Sequence, residues 1–241
     1  MKFSIIIPTL NEEKYIGVLL DSLAKQTFKG FEVIVIDGKS KDKTEEKVME
    51  YQKDLDIRFT VAPKRGVGFQ RNYGLRFANH KDLIFFDADI TVEKDFLEKI
   101  NKYLTSKPAD VLTAWFEPAS DKKRDRFIFG ITNVYYEVIK YISPRGGGAF
   151  IYVRKEPFLK VGGFSEDIIL GEDWDLIKRL DKHGYKYKLV KKPIIKVSVR
   201  RLEKEGRLHF ATNMLVAGLY IGLKGPIKNN KKIKYEYGKY D

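Results

Sequence analysis

The sequence has no cysteine in 241 residues and only three histidines, His80, His183 and His209, scattered along the chain. Disulfides, thiolate zinc sites and cysteine nucleophiles are excluded together. No two histidines have ligand spacing, so a bound metal must be held by carboxylates, which selects a hard ion such as Mn²⁺ or Mg²⁺. Long apolar runs are missing too. The opening, "MKFSIIIPTLNEEKY", turns polar at Pro8, too soon for a secretory signal. No later stretch reaches the ~20 apolar residues of a spanning helix. The expected compartment is the cytoplasm.

What the chain does contain is charge and rhythm. With 43% hydrophobic and 33% charged residues it can bury a core and stay soluble, and its length suits one large α/β domain with or without an appendage. The net charge of +13 is uneven, because residues 191–241 hold 13 Lys/Arg against 4 Asp/Glu, a local excess of +9. "FSIIIPT", "FEVIVID", "IRFTVA" and "DLIFFDAD" read as four buried strands. The segments between them have helical spacing, the first with Asn11 placed as an N-cap for residues 12–26. Near-continuous apolar strands alternating with helices predict a mostly parallel sheet covered on both faces. Beyond residue 109, "DVLTAWFEP" predicts a strand and 121–142 an aromatic helix. "GEDWDLIKRLDKHG" predicts an acid-led amphipathic helix ended by Gly184, and "YKYKLV" and "PIIKVSV" predict two short strands.

In open α/β sheets ligands sit beyond the carboxyl ends of the strands. Pro8, Thr9, Asp37, Asp87 and Asp89 all fall at such ends. An extended chain turns positions i and i+2 to one face, so "LIFFDADIT" sends Asp87 and Asp89 out together. Two like charges so close raise each other's pKa unless a cation or hydrogen-bond donors neutralise them. A purely structural alternative makes Asp89 or Thr91 the cap of "VEKDFLEKI". A haloacid-dehalogenase-type phosphatase also uses D-x-D-x-T, but normally at the start of its domain, whereas three strands precede it here. A dinucleotide-binding G-x-G-x-x-G and a Walker A loop are both absent. A basic nucleic-acid- or membrane-binding protein without catalysis is the remaining alternative, although the sequence has no nucleic-acid motif or stacking platform.

The ordered set of segments resembles the family 2 glycosyltransferases of the GT-A fold. "SIIIPTLNEEKYI" resembles that family's opening strand and helix, and "VIVIDGKSKDKT" its first acidic segment, with Gly38 where a second aspartate is usual. "GVGFQRNYGLRFA" resembles the G-x-x-x-A-R-N-x-G segment, with Gln70 for alanine. "FFDADI" matches the D-x-D, and "GGGAFIYVRKEPFLKVGGFSEDIILGEDWDLIKRL" the stretch ending in Glu-Asp. The resemblance implies a metal-dependent, inverting transfer of one sugar from a nucleotide diphosphate sugar, UDP-sugar first and GDP-sugar second, to a hydroxyl of a lipid-linked or glycan acceptor. It implies Asp173 as general base, Asp89 with Asp87 as metal ligands, and Pro8, Thr9, Glu12, Asp37, Arg71 and Asp87 around the nucleotide. Glu172, Trp174, Arg200 and Arg201 are expected near acceptor or diphosphate. A nucleotide half (1–110), an acceptor half (111–205) and an appended apolar helix with a basic tail (206–241) follow. Residues 208–223 are apolar but too short to span a bilayer. They suit the protein body, a second copy of the chain, or the inner face of an anionic membrane met by Lys224, Lys228, Lys231, Lys232 and Lys234. Nucleic acid is not an expected partner.

Overall fold

The structure is a computed structural model describing residues 1–228, with the backbone alone for part of the last helix. Lys231, Lys232 and Lys234 therefore lie outside the described residues. Eight strands form one sheet: β1 Phe3–Thr9, β2 Phe31–Asp37, β3 Ile57–Val61, β4 Asp82–Phe86, β5 Ile90–Val92, β6 Val111–Pro118, β7 Phe150–Arg154 and β8 Tyr187–Val197. Their order is β3-β2-β1-β4-β7-β6-β8-β5. The first four strands pair in parallel, as do β6 and β8, whereas β7 runs antiparallel to both neighbours and β5 antiparallel to β8. The sheet is thus mixed, with its parallel character concentrated in the N-terminal half.

The sheet must also curl. Strand β5 follows β4 after only Asp87, Ala88 and Asp89, yet lies four inter-strand steps away in sheet order. Four steps of roughly 4.8 Å exceed the roughly 13–14 Å that four peptide units can reach. The aspartate pair therefore occupies the turn where the chain leaves one side of the curled sheet for the other. It does not continue β4, so the shared-face geometry of an extended strand is not how the two acids come together.

Both faces of the sheet are buried. In β1, Ile5 and Ile7 join a cluster with Leu19, Leu20 and Phe96, while Ile6 joins Phe85, Phe158 and Ile177 on the other side. The covering helices are α1 Ile16–Ala24, α2 Thr44–Met49, α3 Val67–Gly74, α4 Phe96–Ser106, α5 Lys123–Ile139, α6 Lys155–Lys160, α7 Glu172–Lys182, α8 Arg200–Glu205 and α9 Arg207–Lys224.

Three local expectations are corrected. Helix α1 starts later than its spacing suggests, and Asn11 is not its cap. Asn11 adopts a left-handed φ of 55° and accepts the Lys41 N–H at 2.9 Å, bracing the β2–α2 loop. Neither Asp89 nor Thr91 caps α4, whose N-cap position is Asp95. The expected break at Pro193 is instead a bulge within β8: Ala114 pairs with Val190 and Phe116 with Ile195, so the proline, which has no N–H to donate, sits in the unpaired stretch. Segment 207–228 packs on the body, with Arg207 on Asp125 and Leu170 bridged to Ile227. No described helix is long and apolar enough to cross a membrane.

Candidate active site

At the ends of β1 and β2, the Thr9 hydroxyl donates to Asp37 Oδ1 at 3.0 Å and the Ser40 N–H to Asp37 Oδ2 at 2.8 Å. Asp37 is buried, and Pro8 lies beside Ile36 in the β1–β2 pair. The two departures from the family pattern meet here. The Gln70 amide donates to the carbonyls of Thr9 (2.9 Å) and Ile36 (2.7 Å), tying the two strand ends together. A Cβ at Gly38 would lie 3.0 Å from Gln70 Oε1 and 3.2 Å from the Thr9 carbonyl. Glutamine at 70 and glycine at 38 are one packing solution.

A second cluster forms around Arg200 at the start of α8. Its two terminal nitrogens donate to both oxygens of buried Glu12 at 2.8 and 2.7 Å, its Nε lies 3.2 Å from Asp89 Oδ2, and its guanidinium covers Tyr15 at 4.4 Å. Glu12 thus faces a cation as well as the strand ends. Burial pushes the Asp89 carboxyl up, Arg200 opposes this and Asp87 adds to it, while Arg201 contributes more positive charge.

The third cluster centres on Arg71 in α3, 1% exposed. Its fork donates to Glu172 Oε1 at 3.0 Å and Asp87 Oδ1 at 2.7 Å, and its face lies on Phe164 at 5.0 Å. The guanidinium is directed at two acids, so it links the aspartate turn to the N-terminus of α7. Asn72, next in sequence, braces the Phe164 backbone from both sides, donating to its carbonyl at 2.8 Å and accepting its N–H at 2.9 Å.

Asp173 follows Glu172 in the first turn of α7, and its Oδ1 accepts the Trp174 N–H at 2.9 Å. A Cβ on Gly148 would lie 2.9 Å from its Oδ2, so only glycine lets the loop lie so close to the carboxylate. Burial, then the negative Glu172, push the Asp173 carboxyl up to about 8. Trp174 donates from its indole to Gly146 O at 3.2 Å and packs edge-on against Tyr136 of α5. Tyr136, whose hydroxyl pKa is raised by burial and by Asp173, was not recognisable from sequence, since it is one aromatic among several in its helix. Ser40, Tyr15 and Gly148 were likewise unmarked.

The pKa shift has a direct consequence. Because the folded state holds the Asp173 proton more tightly than an unfolded chain, the acid subtracts stability as pH rises from 3.8 towards about 8. A base at this position is competent only after losing that proton, so turnover at low substrate should rise with a midpoint at about 8 and level off above it. Glu172→Gln removes the like charge and should move the midpoint down. An unmoved midpoint would contradict this coupling.

The aspartate turn and the acid pair at the start of α7 are thus joined through Arg71 on a curled mixed sheet, and comparison with known proteins gives the family. The sequence model of Glycosyl transferase family 2 matches residues 4–158, and the chain belongs to that family. The poly(ribitol-phosphate) β-N-acetylglucosaminyltransferase TarS of Staphylococcus aureus is 39% identical over 116 residues, 46% of this chain and 20% of TarS. A dolichyl N-acetyl-α-D-glucosaminyl phosphate 3-β-D-2,3-diacetamido-2,3-dideoxy-β-D-glucuronosyltransferase of Methanococcus voltae is 31% identical over 205 residues, 76% of this chain and 62% of that one. The chain thus spans from about a fifth to under two thirds of these relatives' lengths. Among solved structures, TarS residues 1–349 with UDP-GlcNAc align over 82% of this chain and 58% of that one, with TM-score 0.67 and 27% identity. A Pyrobaculum calidifontis mannosyltransferase with GDP-Man and Mn²⁺ aligns over 93% and 70%, with TM-score 0.70 and 22% identity, a likeness of fold.

Proposed function

We propose that this chain transfers a single sugar, with inversion, from a UDP-sugar to an acceptor hydroxyl. The observation that carries the reading is the junction made by Arg71, which ties the aspartate turn to the acid pair Glu172-Asp173 across the mouth of the sheet. In this reading the nucleotide lies over residues 1–110 and the acceptor over 111–205, with 206–241 appended.

Pro8, Thr9 and Glu12 line the base pocket, and Asp37 accepts the pyrimidine N–H. Its bonds to Thr9 and Ser40 leave capacity among roughly four lone-pair sites. Asp173, held by the Trp174 N–H and with its carboxyl pushed up to about 8, takes the proton of the acceptor hydroxyl as that oxygen attacks the sugar carbon opposite the leaving diphosphate. Trp174 and Tyr136 form the acceptor-side wall. Arg71 acts as a positioning residue, fixing Glu172 and Asp87.

The aspartate turn fits a hard divalent ion. Its donors are carboxylate oxygens, and Asp89, whose carboxyl is raised first by burial and then by Asp87, is only partly offset by Arg200. Among the described residues no three acids or histidines converge into a cage, so Mn²⁺ or Mg²⁺ would have to take its remaining ligands from diphosphate and water. Asp89 and Asp87 would hold the ion, which when bound supplies charge neutralisation of the departing diphosphate. Arg200 lies 3.2 Å from Asp89 Oδ2, so it competes for the same carboxylate and becomes available to the diphosphate once displaced. Arg200→Gln should therefore raise the affinity for Mn²⁺ alone severalfold, measured from the paramagnetic resonance of the free ion. Unchanged or weaker binding would remove Arg200 from this role.

Calorimetry of UDP and GDP, with Mn²⁺ and with EDTA, tests the donor side. The expectation is UDP binding that requires the metal. Equal affinity in EDTA contradicts metal dependence, and preference for GDP corrects the base.

A further inference from the structure

Helix α5 has two unlike faces. Inward, Phe129, Asn133 and Tyr136 are buried, the last against Trp174 beside Asp173. Outward, Phe127, Ile131, Val134 and Val138 are 69%, 56%, 56% and 62% exposed, and beyond the helix end Tyr141 and Ile142 are each 81% exposed. The spacing of the first four places them on one helical stripe. Large apolar side chains scattered singly are ordinary on a soluble surface, whereas a continuous stripe marks an interaction face.

The rim around the stripe is basic. From 121 to 146 the chain carries six Lys/Arg against three Asp/Glu; Lys122, Arg126 and Lys140 pair with Glu203, Asp121 and Glu137, and Asp125 is matched by Arg207, which leaves a net excess of positive charge. Helix α9 meets the start of α5 through Arg207 on Asp125, and a Cβ on its Gly222 would lie 3.7 Å from Arg145 in the loop after α5. Helix α9 itself carries no acid, and its Val216 and Lys224 are exposed.

We propose that the outer face of α5 docks on an anionic lipid surface, with the helix lying in the membrane interface. An apolar stripe bordered by basic residues matches the two attractions that hold such helices, burial of apolar area and attraction to negative headgroups. A second copy of the chain is the weaker occupant, since it would bring two basic rims together in a protein of net charge +13. Docking on this face sets the acceptor wall next to the bilayer, so the acceptor would be lipid-anchored. That last step rests on the function proposed above, whereas the docking does not.

Because the chain lacks cysteine, single cysteines can report contact in the whole 241-residue chain. Ile131→Cys carrying an environment-sensitive fluorophore should shift to the blue on mixed phosphatidylcholine–phosphatidylglycerol vesicles and much less on pure phosphatidylcholine. The same label at Val18→Cys, exposed on α1, should not respond. No shift at 131, equal shifts at both positions, or a shift reproduced by raising protein concentration without lipid would each overturn the proposal, the last in favour of self-association. Ile131→Glu with Val138→Glu should lower vesicle partitioning by about tenfold or more with UDP affinity and Tm unchanged, and retained partitioning would overturn it as well. Failure of the unaltered chain to bind nucleotide would count against the proposed function and leave the vesicle result standing.

Discussion

Asp173→Asn should lower kcat by about 10²–10⁴ while leaving UDP-sugar affinity within about twofold. The substitution keeps the shape of the side chain and its acceptor oxygen for the Trp174 N–H, but asparagine cannot take a proton from the acceptor. It also removes an acid whose burial beside Glu172 is unfavourable when charged, so the variant should be no less stable than the parent at neutral pH. Lost activity with intact binding and folding isolates the proton transfer from structural damage. Retained turnover would show that another group accepts the proton.

The second large effect is on stability. Arg71→Met leaves Glu172 buried without its cation and strips Asp87 of its closest one. Breaking a buried pair from one side typically costs about 3–5 kcal/mol. The lower end applies here, because Asp87 is 39% exposed and Glu172, whose pKa burial already raises, can take up a proton. A loss of about 3 kcal/mol corresponds to a fall in Tm on the order of 10 °C for a domain of this size. Adding Glu172→Gln should recover part of the loss, since the charge left unpaired is then gone. Arg71→Lys should not rescue it, because a point charge cannot serve two separated carboxylates as a fork does. A single variant within 1 kcal/mol of the parent would refute the view of Arg71 as the keystone between turn and helix.

The sequence disclosed the strand ends more readily than the contacts between them. Asp37 and Asp87 were legible because each closes an apolar run, and the two-faced burial of β1, β2 and β4 explains why those runs hardly alternate. Asp173 was legible through family resemblance alone, since an acid in the first turn of a helix is ordinary by itself. The partners of the two arginines were hidden for a plain reason: Arg71 and Glu172 are 101 residues apart, Arg200 and Glu12 188 apart, and only the curl of the sheet brings them together. The antiparallel course of β7 was equally hidden, because a strand buried on both faces reads the same in either direction.

The decisive measurement is the anomalous scattering of manganese in a crystal grown with UDP and Mn²⁺. A metal peak between Asp89 and the diphosphate, with the uracil against Asp37, is the predicted result. Nucleotide and metal seated together away from residues 87–89 would contradict the proposed chemistry at its centre.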